Sequence, residues 1–209
     1  MKPRHLFWGA LIILANIVVG CAAMKQTGLK VDPGSVLPGT KVTRAGAELS
    51  LLGTPIKVGD PLPATALVEA GNMTDTDLSR LRGKVLFLSI VPSIDTKVCE
   101  AQTHYLGEQG DRLPAGIERI TISRDTPFAQ QRFAENAKLT DLRFLSDYKM
   151  GAFGRSMGLL MDGPLLLARS IILVDEKGVV RYIQVVPEIT NLPDMEKAFG
   201  RAIELLNGS

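Results

Sequence analysis

Cys99 is the residue in this chain whose surroundings look built for chemistry. It lies in Val91-Pro92-Ser93-Ile94-Asp95-Thr96-Lys97-Val98-Cys99-Glu100. Pro92 ends an apolar run and a helical pattern begins near Thr96, so the cysteine falls in the first turn of the predicted helix. Free amides and the positive end of the helix dipole there favour a thiolate, the form in which cysteine acts as a nucleophile. An ordinary thiol, with a pKa near 8.5, is only about 3% ionised at pH 7. Making it mostly thiolate takes roughly 2.7 kcal/mol. A helix terminus typically gives about 0.3–1 kcal/mol, so the spacing predicts a cation or further donors close by. The bland alternative is a buried, inert cysteine packed as a small hydrophobe. His104, five positions on, is about 140° round the helix and faces elsewhere, which argues against a Cys–His pair. Two histidines and one free cysteine are too few for a structural zinc site.

The elements that must hold this residue can be read from periodicity. Val85 to Val91 is a nearly continuous apolar run, as in a strand covered on both faces. Ile117 to Ile122 predicts the next strand, Phe128 to Ala137 a helix, and Leu142 to Leu145 a short strand. A further helix is expected around Met150 to Leu159. Ser170 to Val174 and Val179 to Val185 flank Asp175-Glu176-Lys177-Gly178, a hairpin signal. Met195, Phe199, Ala202, Ile203 and Leu206 share one face of a closing helix. Another hairpin is expected from Leu49 to Val58, turning at Gly53. Strands alternating with helices predict an α/β sandwich with a mixed central sheet.

The N-terminus has a different composition. Lys2 and Arg4 precede an apolar run from Leu6 to Gly20, shorter than the roughly 20 residues a spanning helix needs. The ending Val18-Val19-Gly20-Cys21-Ala22 resembles a bacterial lipobox, which implies removal of residues 1–20 and lipid attachment at Cys21. An ordinary signal peptide cut near Ala22 or Ala23, or an uncleaved anchor, is the alternative. Residues 21–41, broken by Gly28, Pro33, Gly34, Pro38 and Gly39, read as a lipidated flexible tether, and residues 42–209 as the domain. With Cys21 lipidated, Cys99 is the one remaining thiol, which excludes an internal disulfide and a C-x-x-C site. The expected location is the bacterial envelope, on a membrane facing the periplasm, with the outer membrane favoured. The rest of the composition is ordinary for a globular domain. Twenty-four basic and 22 acidic side chains nearly cancel, which leaves no basic face for nucleic acid.

Pro92, Thr96 and Cys99 also stand in the P-x-x-x-T-x-x-C arrangement of the peroxiredoxins. The string PSIDTKVC resembles the thiol peroxidase subfamily in particular. So do ISRDTPFAQQRF at 122–133, DGPLLLARSIILVDEKG at 162–178 and PEIT at 187–190. The resemblance implies a thioredoxin-like fold with an added N-terminal hairpin, and reduction of hydroperoxides by the Cys99 thiolate. It implies that Arg169 is the missing cation, that Thr96 bonds sulfur and peroxide, and that Pro92 shields the sulfur. Without it, Arg169 would pass for a surface arginine at a strand start. No metal or organic cofactor is implied, and the subfamily often forms homodimers.

The chain departs from that pattern at Ala134, where the subfamily typically carries a resolving cysteine. Three readings follow. Cys99 could be recycled by an external thiol or a thioredoxin-like partner, two chains could join through Cys99, or turnover could be lost. In the last case the protein is a peroxide sensor or a redox-inert lipoprotein that binds a partner. A membrane-tethered assembly factor of thioredoxin type is a further alternative, but the C-x-x-C or Cys/His metal set usual there is missing.

Overall fold

The computed structural model describes residues 28–139 and 141–208. The signal segment and Cys21 therefore lie outside the described residues. The strands are β1 (Val31–Asp32), β2 (Lys41–Arg44), β3 (Ala47–Leu52), β4 (Ala66–Glu69), β5 (Asp75–Asp77), β6 (Val85–Ile90), β7 (Ile117–Ser123), β8 (Arg143–Ser146), β9 (Leu160–Met161), β10 (Ser170–Val174), β11 (Val180–Val185) and β12 (Leu192–Pro193). The α-helices are α1 (Lys97–Glu108), α2 (Pro127–Ala137), α3 (Ala152–Met157) and α4 (Met195–Leu206).

Seven strands form the central sheet in the order β11-β10-β6-β7-β8-β4-β5. β6, β7 and β8 run parallel, while β10 and β4 are antiparallel to their neighbours, so the sheet is mixed. The apolar run of β6 divides its side chains by the two-residue period of a strand. Leu86, Leu88 and Ile90 enter one core, and Val85 and Phe87 enter the other. β10 repeats this, with Ile172 and Val174 on one side and Ile171 and Leu173 on the other. One core lies beneath α1 and α4, where Phe199 meets Phe87 edge-on at 5.5 Å between ring centroids. The other lies beneath β3, β9 and α3. Each of these fully buried aliphatics contributes about 1.5–3 kcal/mol.

Two expectations need correction. The N-terminal hairpin is β2–β3, over 41–52, and not the 49–58 segment. Its register, Arg44↔Ala47, leaves the two-residue turn Ala45-Gly46, with φ of 49° and 83°. Two positive φ values give the backbone twist that strands in a tight hairpin prefer. Gly53 ends β3 instead: a Cβ there would stand 1.9 Å from the Arg155 carbonyl oxygen, so its job is close approach. The second correction concerns the tether. From Val31 onward the expected linker is packed onto the domain, because β1 pairs in parallel with β12 and the Gln184 amide donates to the Asp32 and Gly34 carbonyls. These long-range bonds carry no periodicity, so the glycines and prolines hid them. The short strands β4 and β5 were not anticipated either.

Candidate active site

Cys99 is delivered by a chain of local constraints. β6 ends at Ile90, and Val91 and Pro92 turn the chain while remaining buried. Asp125, just past β7, holds the following loop: it accepts the Ser93 hydroxyl at 2.7 Å and the Ile94 amide at 2.8 Å. Thr96 is the N-cap residue of α1, with extended backbone at φ −121° and ψ 142°. Its hydroxyl donates to the Ser93 carbonyl at 3.3 Å and does not cap the helix. The first-turn amides of α1 are thus left to the space in front of the helix. Cys99 sits in that turn, fully buried with Val91 and Ile94, and Phe133 of α2 packs against the three.

Arg169 stands just before β10, where the register Ser170↔Ile90 brings it beside the Val91-Pro92 corner. It is 2% exposed and all three of its donor nitrogens are used. Nη2 donates to Cys99 Sγ at 3.2 Å, Nη1 to Gln102 Oε1 at 2.7 Å, and Nε to the Ile189 carbonyl at 2.9 Å. Gln102 is itself held by its Nε2 donating to Ser89 Oγ at 2.9 Å. Burial pulls the Arg169 guanidinium below its ordinary pKa, and the facing sulfur works in the opposite direction. The planar fork explains why an arginine stands here: a lysine could not serve three partners in one plane.

A cavity of about 650 Å³ lies over this group, with Pro92, Thr96 and Arg169 in its lining. One wall is the β2–β3 hairpin, which Glu188 clamps in place. The Glu188 carboxylate accepts the Ala45 amide at 3.0 Å, the Gly46 amide at 3.2 Å and the Thr43 hydroxyl at 2.9 Å. Burial alone would raise this carboxyl, but the Thr190 hydroxyl and the amides of Thr190, Ala45 and Gly46 hold it at about 2. The clamp also secures Ala45, a non-glycine residue at positive φ. The opposite wall, after β9, is tied down by Arg124, which donates to the carbonyls of Asp147, Leu165 and Tyr148.

Pro92, Thr96, Cys99 and Arg169, the last named from the resemblance alone, lie close together in the structure, although the Thr96 hydroxyl faces Ser93 and not the sulfur. Ser89, Gln102, Asp125 and Glu188 were missed. Ser89 is the lone polar residue in the apolar run of β6, a readable signal. Asp125 and Glu188 lie inside matched strings but gave no sign of their partners. His104 is engaged by Glu108 at 2.8 Å and meets Phe133 edge-on. Ala134 is half-buried on α2, beside Phe133. Among the described residues no group of three or more His, Cys, Asp or Glu side chains could hold a metal ion.

Known proteins resemble this chain in sequence and fold. The Redoxin family model matches residues 57–199. Thiol peroxidases of Halalkalibacterium halodurans and Bacillus subtilis are 39% and 36% identical over 161 and 166 residues, which is 77% and 79% of this chain and 96% and 98% of theirs. A peroxiredoxin-like protein from Aquifex aeolicus superposes with a TM-score of 0.75 at 30% identity, covering 81% of this chain and 98% of its own. A thiol peroxidase from Chromobacterium violaceum shares the fold, with a TM-score of 0.68 at 20% identity over 81% of this chain and 99% of its own. The mixed sheet with its flanking helices and N-terminal hairpin is thus the thioredoxin-like fold of the peroxiredoxins. The chain belongs to the redoxin family and is a peroxiredoxin-type peroxidase.

Proposed function

We propose that Cys99 is the single peroxidatic residue of a one-cysteine thiol peroxidase acting on hydrogen peroxide and organic hydroperoxides. The observation that carries this reading is the 3.2 Å approach of Arg169 Nη2 to Cys99 Sγ. Arg169 is a buried cation whose three partners include no carboxylate. Buried charges are paired, and the one ionisable partner is the sulfur, so a thiolate is the natural counter-ion.

The thiolate attacks the nearer oxygen of R–O–O–H, forming S–O as O–O breaks. Cysteine becomes sulfenic acid, and the alkoxide or hydroxide leaves with the electron pair and takes up a proton. Arg169 stabilises the charge on the sulfur and then on the leaving oxygen, and Thr96 at the cavity lining positions the peroxide. Pro92 keeps bulk water from the sulfur. Two equivalents of an external thiol, small or on a thioredoxin-like partner, then return the sulfenic acid to thiol, with disulfide and water as products. Ala134 is what favours an external reductant. The same alanine supports a second reading, a peroxide sensor or partner-binding lipoprotein that reacts once and is not recycled.

The test is a rapid mix of the reduced full chain with sub-stoichiometric peroxide, with mass spectrometry following the gain of one oxygen. Fast, stoichiometric oxidation that is lost in Cys99→Ser and slowed in Arg169→Ala is the expected result. Consumption no faster than by an ordinary free thiol would sink the peroxidase assignment of Cys99, and failure of every added thiol to sustain turnover would leave the sensor. The sequence further supports attachment through lipid on Cys21, facing the periplasm. Release of Cys21→Ser from the membrane fraction is the outcome that checks it.

A further inference from the structure

Peroxide and reductant cannot use the same side of Cys99. The oxygen that the sulfur gains comes from the cavity at Arg169. A thiolate displaces it in line, so the reducing thiol arrives from the side away from that oxygen. That side faces α2, where Phe133 packs on the cluster that holds Cys99. A groove of about 310 Å³ opens there between the start of α1 and α2, and Phe133 lines it. It shares no lining residue with the cavity over Cys99.

The two walls of the groove differ in charge. Asp95, just before α1, and Glu100, in its first turn, are exposed acids on one wall. Arg132 and Asn136, four residues apart on α2, share a face on the other. Among the described residues the side chains of Asp95, Arg132 and Asn136 have no hydrogen-bond or ion-pair partner. Glu100 meets His104 at 3.9 Å. The groove's volume of about 310 Å³ lies at the lower end of the roughly 300–1,000 Å³ of small-molecule sites. A ligand that spans it meets carboxylates at one end and a guanidinium at the other.

We infer that this groove takes the reductant, and that the reductant is a small amino-acid thiol. Its ammonium sits with Asp95 and Glu100, and its carboxylate with Arg132 and Asn136. The inference rests on Cys99 being the peroxidatic residue. Phe133 turns aside, and the thiolate bonds Cys99 Sγ as the S–O bond breaks. Hydroxide leaves with the electron pair and takes up the proton that the thiol lost. A second thiolate attacks the small-molecule sulfur of the mixed disulfide, which releases the free disulfide and restores the Cys99 thiolate. Two thiols are oxidised and one sulfenic acid is reduced, so the cycle closes without a thiol at position 134.

The experiment uses the full chain, oxidised at Cys99 by one equivalent of hydrogen peroxide and checked by mass. Loss of the sulfenic acid is timed with cysteine, cysteamine, N-acetylcysteine and mercaptoethanol. These carry both charges, the ammonium alone, the carboxylate alone and neither. Each variant's rate is divided by the parent rate for the same thiol, so intrinsic reactivity cancels. Arg132→Gln should slow cysteine and N-acetylcysteine about three- to fivefold, the size of one exposed ion pair, and leave cysteamine no slower. Asp95→Asn combined with Glu100→Gln should slow cysteine and cysteamine by about as much, and leave N-acetylcysteine no slower. Mercaptoethanol should move in neither variant. A loss shared by all four thiols would mark a general effect on the helix or the thiolate and overturn the inference, as would rates that no substitution moves. If the sulfenic acid forms and this crossed pattern is missing, the inference falls while the peroxidase reading stands. If the parent chain never yields the sulfenic acid, both fall.

Discussion

The two sides of Cys99 are built differently. On the side facing β10, Arg169 meets Sγ, Gln102 and the Ile189 carbonyl, and Gln102 is braced in turn by Ser89. Every polar group there has a job, and all four side chains are buried. On the side facing α2, the contact is Phe133, and the next residue is Ala134. The α2 side keeps the machinery of its helix nonetheless. Thr126 caps it by accepting the Ala129 amide at 3.3 Å, and the buried Gln130 amide bonds Ser123 Oγ and the Leu145 carbonyl, both at 2.9 Å. The comparison teaches that the two sides of Cys99 are held by separate supports. One side is a buried polar network in which each member is bonded to the next, whereas the other is a packed helix held by its own cap and by Gln130.

Breaking the wired side should cost most. Arg169→Met removes the cation and leaves the Ile189 carbonyl and Gln102 Oε1 unpaired. Single-turnover oxidation of Cys99 should slow about 10²- to 10³-fold, the usual cost of one preorganised electrostatic group. Next comes Gln102→Leu, which strands Arg169 Nη1 and Ser89 Oγ. A loss of about 1–3 kcal/mol in urea unfolding is expected, together with a smaller fall in rate as the guanidinium loses its orientation. An unchanged rate would show that Ile189 and the sulfur alone hold the fork.

Glu188→Gln tests the wall above both sides. The folded carboxyl is held at about 2 against an ordinary 4.5. Its contribution is therefore full above roughly pH 4.5 and is lost as pH falls through about 2. The glutamine variant should be about 1–2 kcal/mol less stable at neutral pH, since one hydrogen-bonded charge is gone. It should also show a flatter loss of stability on acidification, read from urea midpoints. The smallest change in energy is Ala134→Cys, about 0.7 kcal/mol or less from helix propensity. Its chemical consequence should still be visible, as an internal disulfide with Cys99 after peroxide treatment, seen on a non-reducing gel. A persistent sulfenic acid in that variant would mean that a thiol at position 134 does not reach Cys99, and would sharpen the division between the two sides.

Much of this was legible in the residues. The β6 run, the first-turn cysteine of α1, the Asp175–Gly178 turn and the single face of α4 all follow from local periodicity and turn chemistry, which act over a few neighbours. The need for a cation near Cys99 also came from energy alone, because a helix terminus supplies too little. The β1–β12 pairing, the true hairpin at Ala45-Gly46 and the Glu188 clamp were not legible. The first and the last join residues more than 140 positions apart, and no spacing rule spans that distance; the hairpin is local, but its turn is Ala45-Gly46 and carries no strong turn pair.

The sequence by itself determined the chemistry available: one thiol in the domain, its place at the start of a helix, and an alanine where a second thiol could have stood. Only the tertiary structure decided which arginine faces the sulfur, how Gln102 and Ser89 hold it, and that a groove opens between α1 and α2. Helices and strands form from interactions among neighbours in the chain. The site is made where the ends of β6 and β10, the hairpin and α1 converge, and the packing of the sheet sets that convergence.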